Sequence, residues 1–337
     1  MPLSSLIGND RIKQSLRRAV AEDRVGQGLI MAGPDGVGKH QFALALAQAV
    51  NCEKPVDGDA CGVCLACRKI ERNEHPDVKT ILRELKDPDF KKESKSQFIR
   101  IEQMRQLSGE AQFRPYLGRR RVFMIDEAEW LRDDAASSIL KTLEEPPETS
   151  LLILITSKPY ALLETIRSRC LMLSFAPLTP AEIESYLKRT TKQPVDEIAI
   201  IARLARGSIG RALGIDLEKY REQREIVLEL LEALALAKDS TRLMAAAEFL
   251  GRKLERDQFQ DYLDVLNAML SDVFHLKVGE PADSLINADA AQRLQRVADA
   301  VRLEEIIEWT EKLQEILLAL ARNVSRQLAM ESMLIKP

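Results

Sequence analysis

Hydrophobic positions along the chain alternate between helical and strand-like spacing. Residues 9–24 (NDRIKQSLRRAVAEDR) place Ile12, Leu16, Ala19 and Val20 at helical intervals, with Asn9 or Asp10 as the N-cap. The apolar run Leu29-Ile30-Met31 reads as a strand that leads into GPDGVGKH, and the Ala- and Leu-rich QFALALAQAV at 41–50 returns to helix. From residue 99 the alternation resumes: a helix (IRIEQMRQLSGEAQF), a basic turn from Gly118 to Arg121 and the buried-strand run VFMID. A further helix (AEWLRDDAASSILKTLEE) is stopped by Pro146 and Pro147, and a second buried strand, LLILITS, covers 151–157. Such alternation predicts a parallel, doubly wound α/β sheet.

Beyond Pro177 the pattern predicts helices alone. Residues 178–214 form a compact helical unit ending in GSIGRALG, and 217–337 carry long amphipathic stretches such as RLEEIIEWTEKLQEILLALARNVSRQLAMESML. The expected organisation is an α/β domain over 1–176 with a cysteine-rich module at about 50–70, a small helical lid over 177–215 and a helical C-terminal domain over 216–337. Residues 83–97 (RELKDPDFKKESKSQ) are charged and nearly without aliphatics, which reads as a mobile surface insertion.

Composition narrows the class. At 337 residues the chain has room for two or three cores, and 45% hydrophobic, 30% charged and 5% aromatic residues suit a soluble, helix-rich protein. A net charge of −3 and a pI near 5.9 argue against a strong independent nucleic-acid binder, so any work on DNA is expected inside an assembly. The beginning MPLSSLIGND lacks a signal-peptide pattern and no apolar run is long enough for a membrane span, so a cytoplasmic location away from membranes is expected.

Gly33 to Lys39 satisfies GxxxxGK between a strand and a helix. In that setting Gly33, Gly36 and Gly38 let backbone N–H groups turn inward around phosphates, and Lys39 reaches the terminal phosphates of ATP or ADP. A glycine-rich turn with an exposed lysine shares the pattern. The next position would carry a Ser or Thr hydroxyl for Mg²⁺, but it is His40. Imidazole is a poor ligand for a hard ion, so nucleotide binding is expected without efficient hydrolysis. Asp126 and Glu127 end VFMID as a metal-side acid and a water-polarising acid would, although two acids there also serve as the cap of a following helix. Thr156, or its neighbour Ser157, closes the next strand where a polar group would sense a γ-phosphate.

Four of the five cysteines lie within sixteen residues, as Cys52-x8-Cys61-x2-Cys64-x2-Cys67. Four thiolates suit a closed tetrahedral site, for which a structural Zn²⁺ is the expected ion; an iron–sulfur cluster is the alternative, but the fourth cysteine lies upstream and no Cys-Pro follows. Cys170 stands apart as a small core residue.

Together GPDGVGKH, the four-cysteine insertion, VFMIDEAEWLRDDAASSILKTLEEPPETSLLILITS, IRSRC and GSIGRAL resemble the bacterial clamp-loader subunits of the AAA+ class, from about Leu6 to Gly214. The resemblance is to the delta-prime branch first and to gamma/tau next, and NVSRQLAMESML resembles the family's closing helix. It implies a DNA polymerase III assembly with gamma/tau and delta as partners, acting on a sliding clamp and primed DNA, with the C-terminal domains forming a collar. It also implies that Arg169, in Ser168-Arg169-Cys170, is an arginine finger for a neighbouring subunit's nucleotide, and that Arg211 reaches back from the lid as a second sensor. His40 departs from the gamma/tau pattern, and that departure is why the delta-prime branch is preferred over a catalytically active gamma/tau-type ATPase.

Overall fold

The computed structural model describes residues 1–83, 98–237, 240–320 and 325–334. The expected insertion therefore lies, apart from Arg83, outside the described residues. The N-terminal region runs α1 (Asp10–Ala21), β1 (Gly28–Ala32), α2 (Lys39–Asn51), α3 (Leu65–Glu71), β2 (Val78–Ile81), α4 (Ile101–Ala111) and β3 (Arg121–Ile125). It continues with α5 (Asp133–Glu144), β4 (Ser150–Thr156), α6 (Glu164–Arg167), β5 (Leu171–Ser174), α7 (Pro180–Thr190), α8 (Val195–Leu204) and α9 (Ile209–Gly214).

All pairings among the five strands are parallel, in the order β2-β3-β4-β1-β5. β4 is buried at every position, as a central parallel strand covered on both faces must be. Period-two alternation divides its side chains between two cores. Leu151, Ile153 and Ile155 join Leu29, Met31, Val122 and Met124 under α1 and α2, whose Leu16, Phe42 and Leu46 pack there. Leu152 and Leu154 join Ile30, Phe123 and Ile125 against Met104 and Leu107 of α4 and Ile139 of α5. Each such aliphatic contributes roughly 1.5–3 kcal/mol by burial. Truncating Ile153 to Ala would cost about 2–5 kcal/mol because the packed layers cannot close the void.

The parallel α/β sheet and the helices beyond residue 177 agree with the sequence pattern, with three local differences. β2 and β5 have four residues each: β2 alternates apolar and polar positions, and β5, although Leu171-Met172-Leu173 is apolar, is short and largely exposed. The helix expected from residue 128 breaks into a 3₁₀ turn at Ala128–Trp130 followed by α5, because the Ile99 N–H donates to the Trp130 carbonyl at 2.9 Å and Ile99 pairs with Leu131, drawing the chain into an extended step. Asn9 occupies the N-cap position of α1 in the left-handed region but makes no capping side-chain bond; its Oδ1 accepts instead from the Ala176 N–H at 2.9 Å.

The chain divides into two compact units, Met1–Thr191 with Ala205–Leu213, and Lys192–Leu204 with Gly214–Pro337. Residues of the predicted lid are distributed between them. The second unit contains α8 together with α10 (Leu217–Glu232), α11 (Ser240–Glu248), α12 (Arg256–Lys277), α13 (Ala291–Ala300), α14 (Leu303–Leu320) and α15 (Arg326–Leu334). Phe259, Leu263, Leu266 and Val273 of α12 are buried with Leu294, Val297, Trp309 and Leu313. Asp272, fully buried, accepts from the amides of Ile286 and Asn287 and from Asn287 Nδ2, and the Tyr220 hydroxyl completes the network on Asn287 Oδ1.

Candidate nucleotide and metal sites

A cavity of about 530 Å³ lies in the first unit at the carboxyl end of β1 and β4. Its floor is the loop and first turn of α2, where Gly36, Gly38, Lys39 and His40 all line it. Gly36 adopts a φ of +73°, and a Cβ there would stand 2.1 Å from Ser208 Oγ, so the close turn requires glycine. Gly38 begins α2 with a φ of +96°. Lys39 is 6% exposed and donates from Nζ to the carbonyls of Gly33 (2.6 Å) and Pro34 (2.7 Å). Burial pulls its pKa below the usual lysine value, opposed by Asp35, Glu129 and Asp126. The ammonium is thus held at the loop by two carbonyls that an incoming phosphate would replace.

The acidic side is built from the end of β3. Asp126 and Glu127 both line the cavity, as does Thr156 at the end of β4. Glu127 sits in the left-handed region at φ 50° and forms a bidentate pair with Arg83, Nε to Oε2 at 2.6 Å and Nη2 to Oε1 at 2.9 Å. The same guanidinium lies 4.7 Å over the Trp130 ring. Fork-to-fork geometry fixes both partners more firmly than a single contact would. Glu129, two positions on, also lines the cavity and accepts from Ser157 Oγ at 2.8 Å. Burial works to raise its pKa, but hydrogen bonds from its own amide, Ser157 and Thr156 outweigh burial and hold the carboxyl below its usual range.

Sequence reasoning missed three contributors. Glu129 was visible as the third acid of DEAE, and the 3₁₀ turn brings it back to the cavity. Arg83 stands in a charged run without local signal. Ser5, Leu6 and Ile7 form a wall of the cavity, opposite in chemistry to the phosphate loop. Tyr186, Ile209, Gly210 and Leu213 complete the lining, and the Gly210 N–H donates to the Gly36 carbonyl at 3.1 Å.

The two candidate arginines lie elsewhere. Arg211 is on α9 between the lining residues Gly210 and Leu213 but is not itself among them, and its N–H donates to Ser208 Oγ. Arg169 follows α6 on the exposed side, where Nη2 meets Glu144 Oε1 at 2.7 Å and Nη1 donates to the Thr165 carbonyl at 2.9 Å. It does not line its own chain's cavity.

The four clustered cysteines converge, with all Sγ atoms within 4.8 Å of one another and Cys52 and Cys64 sulfurs 4.0 Å apart. A metal at about 2.3 Å from four thiolates in a tetrahedron sets sulfur atoms about 3.8 Å apart, so the donor set fits. Main-chain N–H groups are aimed at the sulfurs, from Cys61 to Cys52, Cys64 to Cys61 and Cys67 to Cys64, at 3.3 to 3.4 Å. The amides of Val63 and Cys64 lower the Cys61 thiol to about 6, whereas burial raises Cys52 and Cys67. These four residues can hold a metal ion. Cys170 is partly buried against the second core, and burial lifts its thiol to about 11.

A parallel P-loop sheet with paired acids at the end of β3, a four-cysteine module and a helical C-terminal region define an AAA+ type protein. The chain matches the family model described as "DNA polymerase III, delta subunit" over residues 8–179, and its companion "DNA polymerase III, delta subunit, C terminal" over 221–336. It belongs to that family. The Bacillus subtilis protein named DNA polymerase III subunit delta' is 27% identical over 328 residues, covering 96% of this chain and 94% of the relative. The Escherichia coli subunit of that name is 27% identical over 332 residues, with 96% and 93% covered. Escherichia coli subunit tau is 31% identical over 219 residues, and there the match spans 63% of this chain and 32% of tau.

Proposed function

We propose that the chain is the delta-prime-type subunit of a DNA polymerase III clamp loader, acting in the cytoplasm with gamma/tau and delta to place a sliding clamp on primed DNA. The observation that carries this reading is the pair of family matches over both units, together with relatives named delta' over nearly their whole length. The cavity binds ATP or ADP without turning it over. His40 supplies imidazole where Mg²⁺ needs a hard oxygen ligand, and Glu127, the acid that would polarise water, is engaged by Arg83. Arg169, turned away from its own cavity, serves the nucleotide of a neighbouring gamma/tau subunit. The four cysteines hold one structural Zn²⁺, a closed thiolate set with no open position for catalysis.

A second reading, an active gamma/tau-type ATPase, has support of its own in Lys39, Asp126, Glu127 and Thr156, which meet around one cavity. Steady-state turnover separates the two. The purified chain is expected to hydrolyse ATP negligibly with or without primed DNA; turnover of about one per second or more, lost on Lys39→Ala, would establish the motor instead.

A further inference from the structure

Part of the cavity lining comes from residues that belong to no helix of the nucleotide motif. Ser5, Leu6 and Ile7 line the cavity, and the two residues just before them, Leu3 and Ser4, are held by the loop between Cys52 and Cys61. Asp59, 5% exposed, is the tie: its Oδ1 accepts from the Leu3 N–H at 2.8 Å and its Oδ2 from the Ser4 N–H at 2.9 Å. Oδ1 also accepts from the Ala60 N–H, one residue before Cys61, at 2.8 Å. Gly58, at φ +71°, presses so closely on α1 that a Cβ would lie 1.9 Å from the Arg17 carbonyl oxygen. Leu3 is fully buried in the same core as Cys52 and Cys67.

We propose that Asp59 makes the four-cysteine centre a positioning device for the nucleotide cavity, so that metal occupancy, through the tied Leu3 and Ser4, sets how well the adjoining Ser5, Leu6 and Ile7 wall the end that receives the base. A nucleotide carries its charge at one end and a flat, largely apolar ring system at the other. Amides and Lys39 take the first; Leu6 and Ile7 offer the apolar surface for the second. A buried carboxylate that accepts three amides orders the backbone around it, because a displaced N–H would be left unpaired away from water. Four thiolates on one ion hold the loop that carries this carboxylate. Loss of the metal frees the loop, Asp59 loses its register with Leu3 and Ser4, and binding must then order the wall at the ligand's expense. The phosphate loop, formed by β1 and α2, keeps its own geometry.

The proposal rests on the reading of the cavity as a nucleotide site, and the test keeps the two apart. Amide exchange at Leu3 and Ser4, and affinities for ADP and for inorganic pyrophosphate, are measured on the full chain in three forms: metal-loaded wild type, chelator-stripped wild type and metal-loaded Asp59→Asn. Stripping and Asp59→Asn are both expected to speed exchange at Leu3 and Ser4. Both should weaken ADP about tenfold, the scale of an added ordering cost on binding, while pyrophosphate affinity and the metal content of Asp59→Asn stay unchanged. Equal losses for ADP and pyrophosphate would mean general destabilisation and overturn the proposal. So would unchanged exchange at Leu3 and Ser4 after stripping, an arm that needs no substitution and decides the coupling even if Asp59→Asn fails to fold. If neither ADP nor pyrophosphate binds the loaded wild type, the nucleotide reading fails, while exchange still reports whether metal holds the segment.

Discussion

Arg169 is where a subunit without turnover of its own would govern turnover next door, and replacing it separates stability from rate. Its side chain is ion-paired with Glu144, and the two side chains are 34% and 49% exposed, so water stabilises Glu144 once the guanidinium is gone. An exposed pair of this kind is worth about 0.2–1 kcal/mol. For a chain of this size Arg169→Ala should therefore lower Tm by no more than about 3 °C. The effect in trans is of another order: a guanidinium on a neighbour's γ-phosphate supplies about 10³–10⁵ in rate, or about 4–7 kcal/mol of barrier at that site. The assay is DNA- and clamp-stimulated ATPase of the complex reconstituted with gamma/tau and delta, at limiting ATP, beside thermal melting of the isolated chain. The complex should assemble but hydrolyse more slowly, partially so because other interfaces keep their own fingers. Lysine at 169 should rescue poorly, since a point charge lacks the planar fork. Arg169→Ala complexes running at the wild-type rate would refute the assignment and leave Arg169 as a surface partner of Glu144.

Elemental analysis of protein purified without chelator should find one zinc per chain, with stripping lowering Tm because the binding energy of a structural metal is folding energy; iron with visible absorbance would refute it. Asp77, fully buried, accepts from the amides of Tyr116, Leu117 and Gly118 at 2.7 to 2.9 Å. Burial favours a raised pKa there, but the amides of Gly118, Tyr116 and Leu117 and the Arg121 guanidinium prevail and depress it. Its contribution is thus present above the unfolded value of about 3.9 and lost as pH falls through the lower folded value. Asp77→Asn should lose about 2–3 kcal/mol in urea unfolding at pH 7, and less at the acid limit; an equal loss at both pH values would show that charge is not the cause.

The strands legible in the sequence are those at the centre of the sheet. β1, β3 and β4 bury both faces and so write continuous apolar runs; at the edges β2 alternates apolar and polar residues, and β5 offers only the short, largely exposed Leu171-Met172-Leu173. The meeting of Lys39 and Asp126 at one cavity and the convergence of the four cysteines were legible because they follow from short spacing and strand ends. The roles of Asp59 and Arg83 depend on partners 55 and 44 residues away in the chain, and no local pattern records such pairing. The break between Trp130 and α5 has the same origin, since Ile99 causes it from outside the helix.

If this chain completes a clamp loader while leaving hydrolysis to its neighbours, clamp loading must depend on it. Gamma/tau, delta, the clamp and primed DNA are combined with and without the chain, and clamp deposited on DNA is followed in time at saturating ATP. Loading is expected to depend on the chain, to survive Lys39→Ala in it and to fall with Arg169→Ala. Loading at an equal rate when the chain is omitted would contradict a clamp-loader role for this chain.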